Sequence, residues 1–330
     1  MNFIAGTIPV FLLLLALIYL DSFKLIKKND IVLCIIYGIA TGFVLYYLNL
    51  YLLSSYFADF YSYAKSVAPF IEEIIKAILI IILIKRNKIG FMIDGAILGF
   101  AIGSGFALIE NIFYLNSLMD TNIFIWIVRG IGTSVMHGGA TALFAIICMY
   151  FYNKSEKLNF LGIILGSLIA IAIHWIYNQF WINPVWSASL TFIIIPSLII
   201  IIFNLNGISL RKWLEVEFSS EISMLQSLRK GEFSTTKAGK YFNTIKSRFS
   251  KEVIVDMLCF IQLYLELSIK TKSIILLKEA GFPVEPETDI RSKLKELETL
   301  QKSIGKTGYL AISPILRMKK RDMWKIHFLN

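Results

Sequence analysis

Glu72 and Glu73 stand side by side in the run SVAPFIEEIIKAILIIILIK, with Lys76 one turn further on. Glu110 and Asn111 lie near the end of GFMIDGAILGFAIGSGFALIENIFYL, with Phe106 one turn before Glu110. His137 lies within GTSVMHGGATALF, and His174 and Asn178 lie within LGIILGSLIAIAIHWIYNQF. Carboxylates, imidazoles and an amide are the groups a hydrolysis needs: a base for water, a polariser for a carbonyl and an acid for the leaving group. Glu72 or Glu73 is the candidate base. Glu72 and Lys76 are four residues apart and share a helix face, so the lysine is expected to neutralise one carboxylate and leave Glu73 available. His174 and Asn178 share the same spacing and are candidates to polarise a carbonyl or hold an oxyanion. The residues admit a second chemistry, in which His137, His174 and the carboxylate of Glu110 bind Zn²⁺ and an open position holds water. There is no HExxH, so the cofactor is either Zn²⁺ or none.

The elements that carry these residues are membrane spans. The chain has 330 residues, 56% hydrophobic and only 17% charged, with a mean hydropathy of +0.67. Soluble domains carry about 25% charged residues, and the three cysteines form neither a CxxC nor an even framework. A single globular domain, a disordered chain and a disulfide scaffold are excluded. Crossing the hydrocarbon takes about 20 apolar residues, which predicts seven spans near 3–20, 31–53, 66–84, 89–115, 124–152, 159–181 and 187–205. The fold class is an all-α polytopic bundle over 1–206, followed by a basic helical domain over 207–330. The second part holds 22 of the 33 Lys and Arg and 14 of the 23 Asp and Glu.

Loop charges set the orientation. Lys24, Lys27 and Lys28, then Lys85, Arg86 and Lys88, then Lys154 and Lys157 fall on alternate connections with the basic tail, which places that side in the cytoplasm. The N-terminus is expected outside a cell membrane. A charged side chain at mid-bilayer costs about 2.5–3.5 kcal/mol on insertion scales, so the buried charges require an explanation. Counted at ~1.5 Å per residue from the outer end of each span, Glu72 and Glu73 lie about 10 Å deep, Glu110 about 8 Å and His174 about 12 Å. His137 joins this level, at about 10 Å, if its helix starts at Gly130, and lies nearer ~20 Å if it starts at residue 124. Pro69, one turn before Glu72, is expected to free a backbone carbonyl and open the helix toward water. Asp94 is expected at the cytoplasmic interface. Gly95, Gly99 and Gly103 give the fourth span a thin side for close helix approach.

The ordered set EEIIK (Glu72–Lys76), FALIEN (Phe106–Asn111), His137 and HWIYN (His174–Asn178) resembles the PrsW family of intramembrane proteases, within the CAAX-protease and bacteriocin-processing superfamily. The resemblance covers roughly residues 60–180. It implies hydrolysis of a peptide bond in a single-span, membrane-anchored protein near the outer face, with anti-sigma-factor processing as one such role. It also implies catalytic positions at Glu72, Glu73, Glu110, His137, His174 and Asn178, supported by Lys76, Phe106 and Asn111. Prenyl-protein members end the second motif in His where this chain has Glu110, so His137 is the candidate to supply that imidazole.

Two other classes fit buried Glu and His: a proton- or ion-coupled transporter, and a non-catalytic membrane binding or immunity protein. A carrier would favour an inverted repeat of broken helices and a midplane site, and neither is evident. The surplus positive charge of residues 207–330 predicts attraction to anionic lipid at the cytoplasmic face. Within it, Lys319, Lys320, Arg321, Trp324 and Phe328 resemble an interfacial helix. No nucleic-acid partner is expected, because the charge is diffuse and no binding motif is present.

Overall fold

The computed structural model describes residues 26–57, 59–117, 123–155, 157–179, 181–279, 282 and 289–316, with scattered positions between 8 and 19. Regular structure among the described residues is helical throughout. The chain divides into two compact units, 1–206 and 207–330. The first contains α1 (Lys28–Tyr56), α2 (Phe60–Ser66), α3 (Ala68–Lys85), α4 (Met92–Ser117), α5 (Ile123–Ser155) and α6 (Phe160–Asn178), and α7 (Pro184–Arg229) contributes residues to both units.

Five stretches are long and apolar enough to cross a membrane: Lys28–Tyr56, Met92–Tyr114, Trp126–Ser155, Phe160–Asn178 and Pro184–Ile202. They match five of the seven expected spans. The span expected at 66–84 appears as α3, which is 18 residues long and carries Glu72, Glu73, Lys76 and Lys85. Its pattern is two-faced. Phe70, Ile74, Ile78 and Ile82 recur every fourth residue and are exposed, whereas Glu72, Glu73, Lys76, Ala77, Ile80 and Leu83 are buried. The apolar stripe suits lipid and the charged stripe faces other helices. Half of the positions in the expected span at 3–20 are described, and these are helical.

α4 and α5 form the centre of this membrane bundle. α4 packs most extensively against α5 and α1, and α5 also packs against α6. Phe100, Ile102, Val135, Phe144 and Met149 are buried in the shared core. Between lipid-solvated helices there is little hydrophobic driving force, so association depends on close packing. A Cβ at Gly99 would lie 2.6 Å from the Thr141 carbonyl oxygen, and one at Gly103 would run into that of His137. Here α4 and α5 touch backbone to backbone. At Gly95 the contact is looser, with a Cβ meeting that of Ala145 at 3.3 Å.

Three local expectations are corrected. Pro69 lies in the first turn of α3, where its missing N–H is not needed, so it starts the helix rather than opening it. α5 is already helical from Ile123 rather than from Gly130, and Trp126 in its first turn is buried. Asp94 is buried rather than interfacial, its Oδ2 accepting from the backbone N–H groups of Gly90 (3.0 Å) and Phe91 (2.9 Å) ahead of α4.

In the second unit, α7 residues up to Arg229 are followed by α8 (Lys237–Ile245), α9 (Lys251–Glu279) and α10 (Ile290–Leu316). Gly231, at φ 75°, makes the left-handed break after α7, and Gly305, at φ 66°, interrupts α10. Phe233, Phe242, Met257, Phe260, Tyr264, Leu294 and Ile312 belong to its core. Lys272 is fully buried against Glu217 (3.1 Å) and Glu221 (2.8 Å). Residues 283–288 and the basic aromatic stretch from Lys319 to Phe328 lie outside the described residues.

The glycine contacts predict a graded response. Gly99→Ala and Gly103→Ala should each lose about 1–3 kcal/mol by overpacking, whereas Gly95→Ala should stay near wild type. Thermal unfolding of the purified protein in detergent measures this, and equal stability of all three variants would refute backbone contact between α4 and α5.

Candidate active site

Apart from Asp94, the buried charges described in the membrane unit meet at one place, where the half-buried Glu110 joins them. α3 supplies Glu72, Glu73 and Lys76 from its second and third turns, α4 supplies Glu110, α5 supplies His137 and α6 supplies His174 near its last turn. Lys76 Nζ lies 2.5 Å from Glu73 Oε1 and 2.8 Å from His137 Nδ1, with the Phe106 ring 4.7 Å away. His174 Nδ1 lies 2.8 Å from Glu73 Oε1. His137 Nε2 lies 2.6 Å from Glu110 Oε2, and Arg129 Nη2 lies 3.6 Å from Glu110 Oε1. Lys76 and His137 are fully buried and His174 is nearly so.

Donor and acceptor rules fix the proton positions. An ammonium only donates, so His137 Nδ1 accepts from Lys76 and the ring proton sits on Nε2, donated to Glu110. A carboxylate accepts, so His174 donates from Nδ1 to Glu73 and its Nε2 carries a lone pair. That nitrogen lies 3.8 Å from Glu72 Oε2. No lysine or arginine pairs with Glu72 among the described residues; its Oε1 instead accepts from the Asn49 amide at 2.9 Å.

This reverses the expected division of the two carboxylates. Lys76 neutralises Glu73, three residues away, rather than Glu72, four away, because Glu73 lies on the side where both histidines gather. Glu72 is the carboxylate that remains. Asn178 does not join the cluster: it is the last residue of α6, and its Nδ2 donates to the Ala64 carbonyl at 3.1 Å. Asn111, also placed by the sequence as a supporting residue, is fully buried, and its Oδ1 accepts from Thr133 at 3.0 Å, fastening α4 to α5 beside the site. Phe106 packs on the His137 ring at 4.7 Å.

Two acceptors, Glu72 Oε2 and His174 Nε2, thus face each other across a short gap, as two ligands of one cation do. Ligand atoms of Glu72, His137 and His174 all lie within 4.8 Å of one another. Two imidazoles and a carboxylate suit Zn²⁺, and Glu73 backs His174 as an outer carboxylate commonly does for a ligating histidine. The donor set therefore fits a divalent cation, with His137 exchanging one of its present hydrogen bonds to join. The carboxylate differs from the one expected. Glu110 is held by His137 and Arg129, and its 2.6 Å approach to His137 Nε2 is a hydrogen bond rather than the spacing of two ligands.

The sequence assigns no site role to Asn49, Tyr63 or Arg129. Tyr63 on α2 donates to Asn49 Oδ1 at 2.6 Å, and Arg129 stacks on Tyr114 at 3.6 Å. Asn49 is a polar residue inside an apolar run, the same signal that identified the others, but in a span without a charge.

Removing Lys76 alone would leave the Glu73 carboxylate buried without its ammonium. Lys76→Met should therefore lose about 3–5 kcal/mol, and the double variant Lys76→Met/Glu73→Gln should recover most of it. Chemical unfolding in detergent micelles reads both, and a fully stable Lys76→Met would show that the pair is not structural.

A protein-family model described as PrsW family intramembrane metalloprotease matches residues 29–204. No curated protein and no solved structure matches the chain. The matched region is more than half of the 330 residues and runs from α1 into α7, taking in each helix that brings a charge to the buried cluster. The chain accordingly belongs to the PrsW family of intramembrane proteases and is a membrane-embedded peptidase.

Proposed function

We propose that the chain cleaves a single-span membrane protein near the outer face of the cell membrane, with Glu72 as the general base. The observation that carries this reading is the separation of the two adjacent carboxylates: Glu73 is closed by Lys76 and His174, while Glu72 faces the lone pair of His174 Nε2 at 3.8 Å. Water held between these two atoms gives its proton to Glu72 and attacks the scissile carbonyl. The protonated Glu72 then returns the proton to the leaving amine. Glu73 keeps His174 in the tautomer that accepts at Nε2, and the Lys76 ammonium balances the charge of Glu73. His137, held between Lys76 and Glu110, and Phe106 beneath it close the site on the α4–α5 side. A divalent cation held by Glu72, His137 and His174 would occupy the gap between Glu72 Oε2 and His174 Nε2; Glu72 would then serve as a ligand in place of the base, and the cation would supply a water acidic enough to react near neutral pH and a Lewis acid for the carbonyl.

The outer placement is supported by where the site lies along the helices. It sits toward the start of α3 and the ends of α4 and α6, with His137 near the middle of α5, and away from the loops that carry Lys85, Arg86, Lys88, Lys154 and Lys157. Positive loops favour the cytoplasm, so the N-terminus is assigned outside and the C-terminal unit inside. The surplus positive charge of that unit supports contact with anionic lipid. Processing of a membrane-anchored anti-sigma factor is the regulatory role this placement suits.

In liposomes carrying a single-span reporter substrate, Glu72→Gln should lower cleavage by about 10²–10⁴-fold while the protein still inserts and folds. Cleavage at the wild-type rate would remove Glu72 from the mechanism. Metal analysis of the purified protein, with activity measured before and after a chelator, tests the cation: a stoichiometric metal lost in His174→Ala is the expected result. For topology, Trp181→Cys, in a background lacking Cys34, Cys148 and Cys259, should react with an impermeant thiol reagent added outside intact cells. Labelling only from the cytoplasm would invert the assignment.

A further inference from the structure

We propose that Asn49 and Tyr63, which lie outside the four motifs, are positioning residues that aim the reacting oxygen of Glu72; this rests on the reading of Glu72 as the base. A glutamate side chain turns about three bonds, and one hydrogen bond at Oε2 would leave it free to swing. In this site the other oxygen is pinned. Asn49 Nδ2 donates to Glu72 Oε1 at 2.9 Å, and this leaves Oε2 toward His174 Nε2.

An amide side chain has two ends of opposite polarity, and only its NH₂ end can hold a carboxylate. Tyr63 sets which end faces Glu72. Its hydroxyl donates to Asn49 Oδ1 at 2.6 Å, which turns Nδ2 toward the carboxylate. The Tyr63 hydroxyl is itself placed by a short helix fastened at several points. Asp59 accepts from Ser62 N at 2.9 Å at the start of α2, and Phe57 packs edge-on against the Tyr63 ring at 5.0 Å. Asn178 and Gln179 from the end of α6 donate to the carbonyls of Ala64 (3.1 Å) and Lys65 (3.3 Å). Tyr63 is 2% exposed, so water does not compete strongly for its hydroxyl. The chain Tyr63–Asn49–Glu72 thus transmits the fixed position of α2 to one carboxylate oxygen. Outer hydrogen bonds of this kind are worth about 10–100-fold in activity at comparable sites.

The test uses the full-length protein in liposomes with a single-span reporter, measuring kcat, KM and thermal unfolding for Tyr63→Phe, Asn49→Leu, their double variant and Glu72→Gln. Tyr63→Phe should lower kcat about 10-fold and Asn49→Leu up to about 100-fold, with KM within about 2-fold of wild type. The double variant should be no slower than Asn49→Leu alone, since Tyr63 acts only through Asn49. Wild-type kcat in both single variants, a loss confined to KM, multiplying losses in the double variant, or losses that follow a falling folded fraction would each overturn the proposal. If Asn49→Leu fails to fold, Tyr63→Phe, which removes one oxygen, decides. Glu72→Gln separates the two claims. An active Glu72→Gln refutes the base, whereas an inactive Glu72→Gln beside a fully active Tyr63→Phe refutes only the positioning.

Discussion

The ammonium of Lys76, fully buried and held 2.5 Å from Glu73 and 2.8 Å from His137, decides which of two neighbouring carboxylates has a cationic partner. Two adjacent glutamates in a low-dielectric site would otherwise oppose each other's ionisation. One lysine breaks the symmetry by taking Glu73, and Glu73 in turn fixes the His174 tautomer. The same ammonium fixes the proton on His137, because it can only donate. A point charge with three donors suits this position: two find acceptors and the ring of Phe106 lies within reach of the charge. Glu72, His137 and His174 take their roles from that one group.

The cluster exists only because its helices come unusually close. The tightest α4–α5 approach, at Gly103, is against the carbonyl of His137 itself. Packing and chemistry therefore share a residue. Bringing α5 to this distance places the His137 ring within 2.6 Å of Glu110 on α4 and 2.8 Å of Lys76 on α3. A wider interface would separate three partners at once.

The membrane class, the helical fold and the meeting of Glu72, Glu73, Glu110, His137 and His174 were legible in the sequence, because polar residues in apolar runs are costly enough to need a common reason. The partner of Lys76 was not. Spacings of three and four both bring side chains together on a helix, and the choice of Glu73 was made by histidines from other helices. Asn178 shares a face with His174 by spacing, but α6 ends there and its amide turns to the Ala64 carbonyl of α2. The level of His137 was inferred from a helix start at Gly130. α5 starts at Ile123, so His137 lies further along its helix than that start implies, and it meets Glu110 and Lys76 there all the same. Asn49 stayed hidden because one neutral amide among leucines and tyrosines adds little insertion cost.

The sequence distances within the cluster bear on how the protein is made. Glu73 and Lys76 are three residues apart and can pair as soon as α3 forms. Their remaining partners lie far downstream: His137 is 61 residues beyond Lys76 and His174 is 101 beyond Glu73. At synthesis rates of about 5–20 residues per second, α3 waits roughly 5–20 s for its last partner. During that interval its charged face has no bundle to turn toward, while Phe70, Ile74, Ile78 and Ile82 already favour lipid. Helices of this chain thus cannot settle independently in order of synthesis. Insertion of α3 is completed by residues translated after it, so nascent-chain handling at the membrane is coupled to assembly of the active centre.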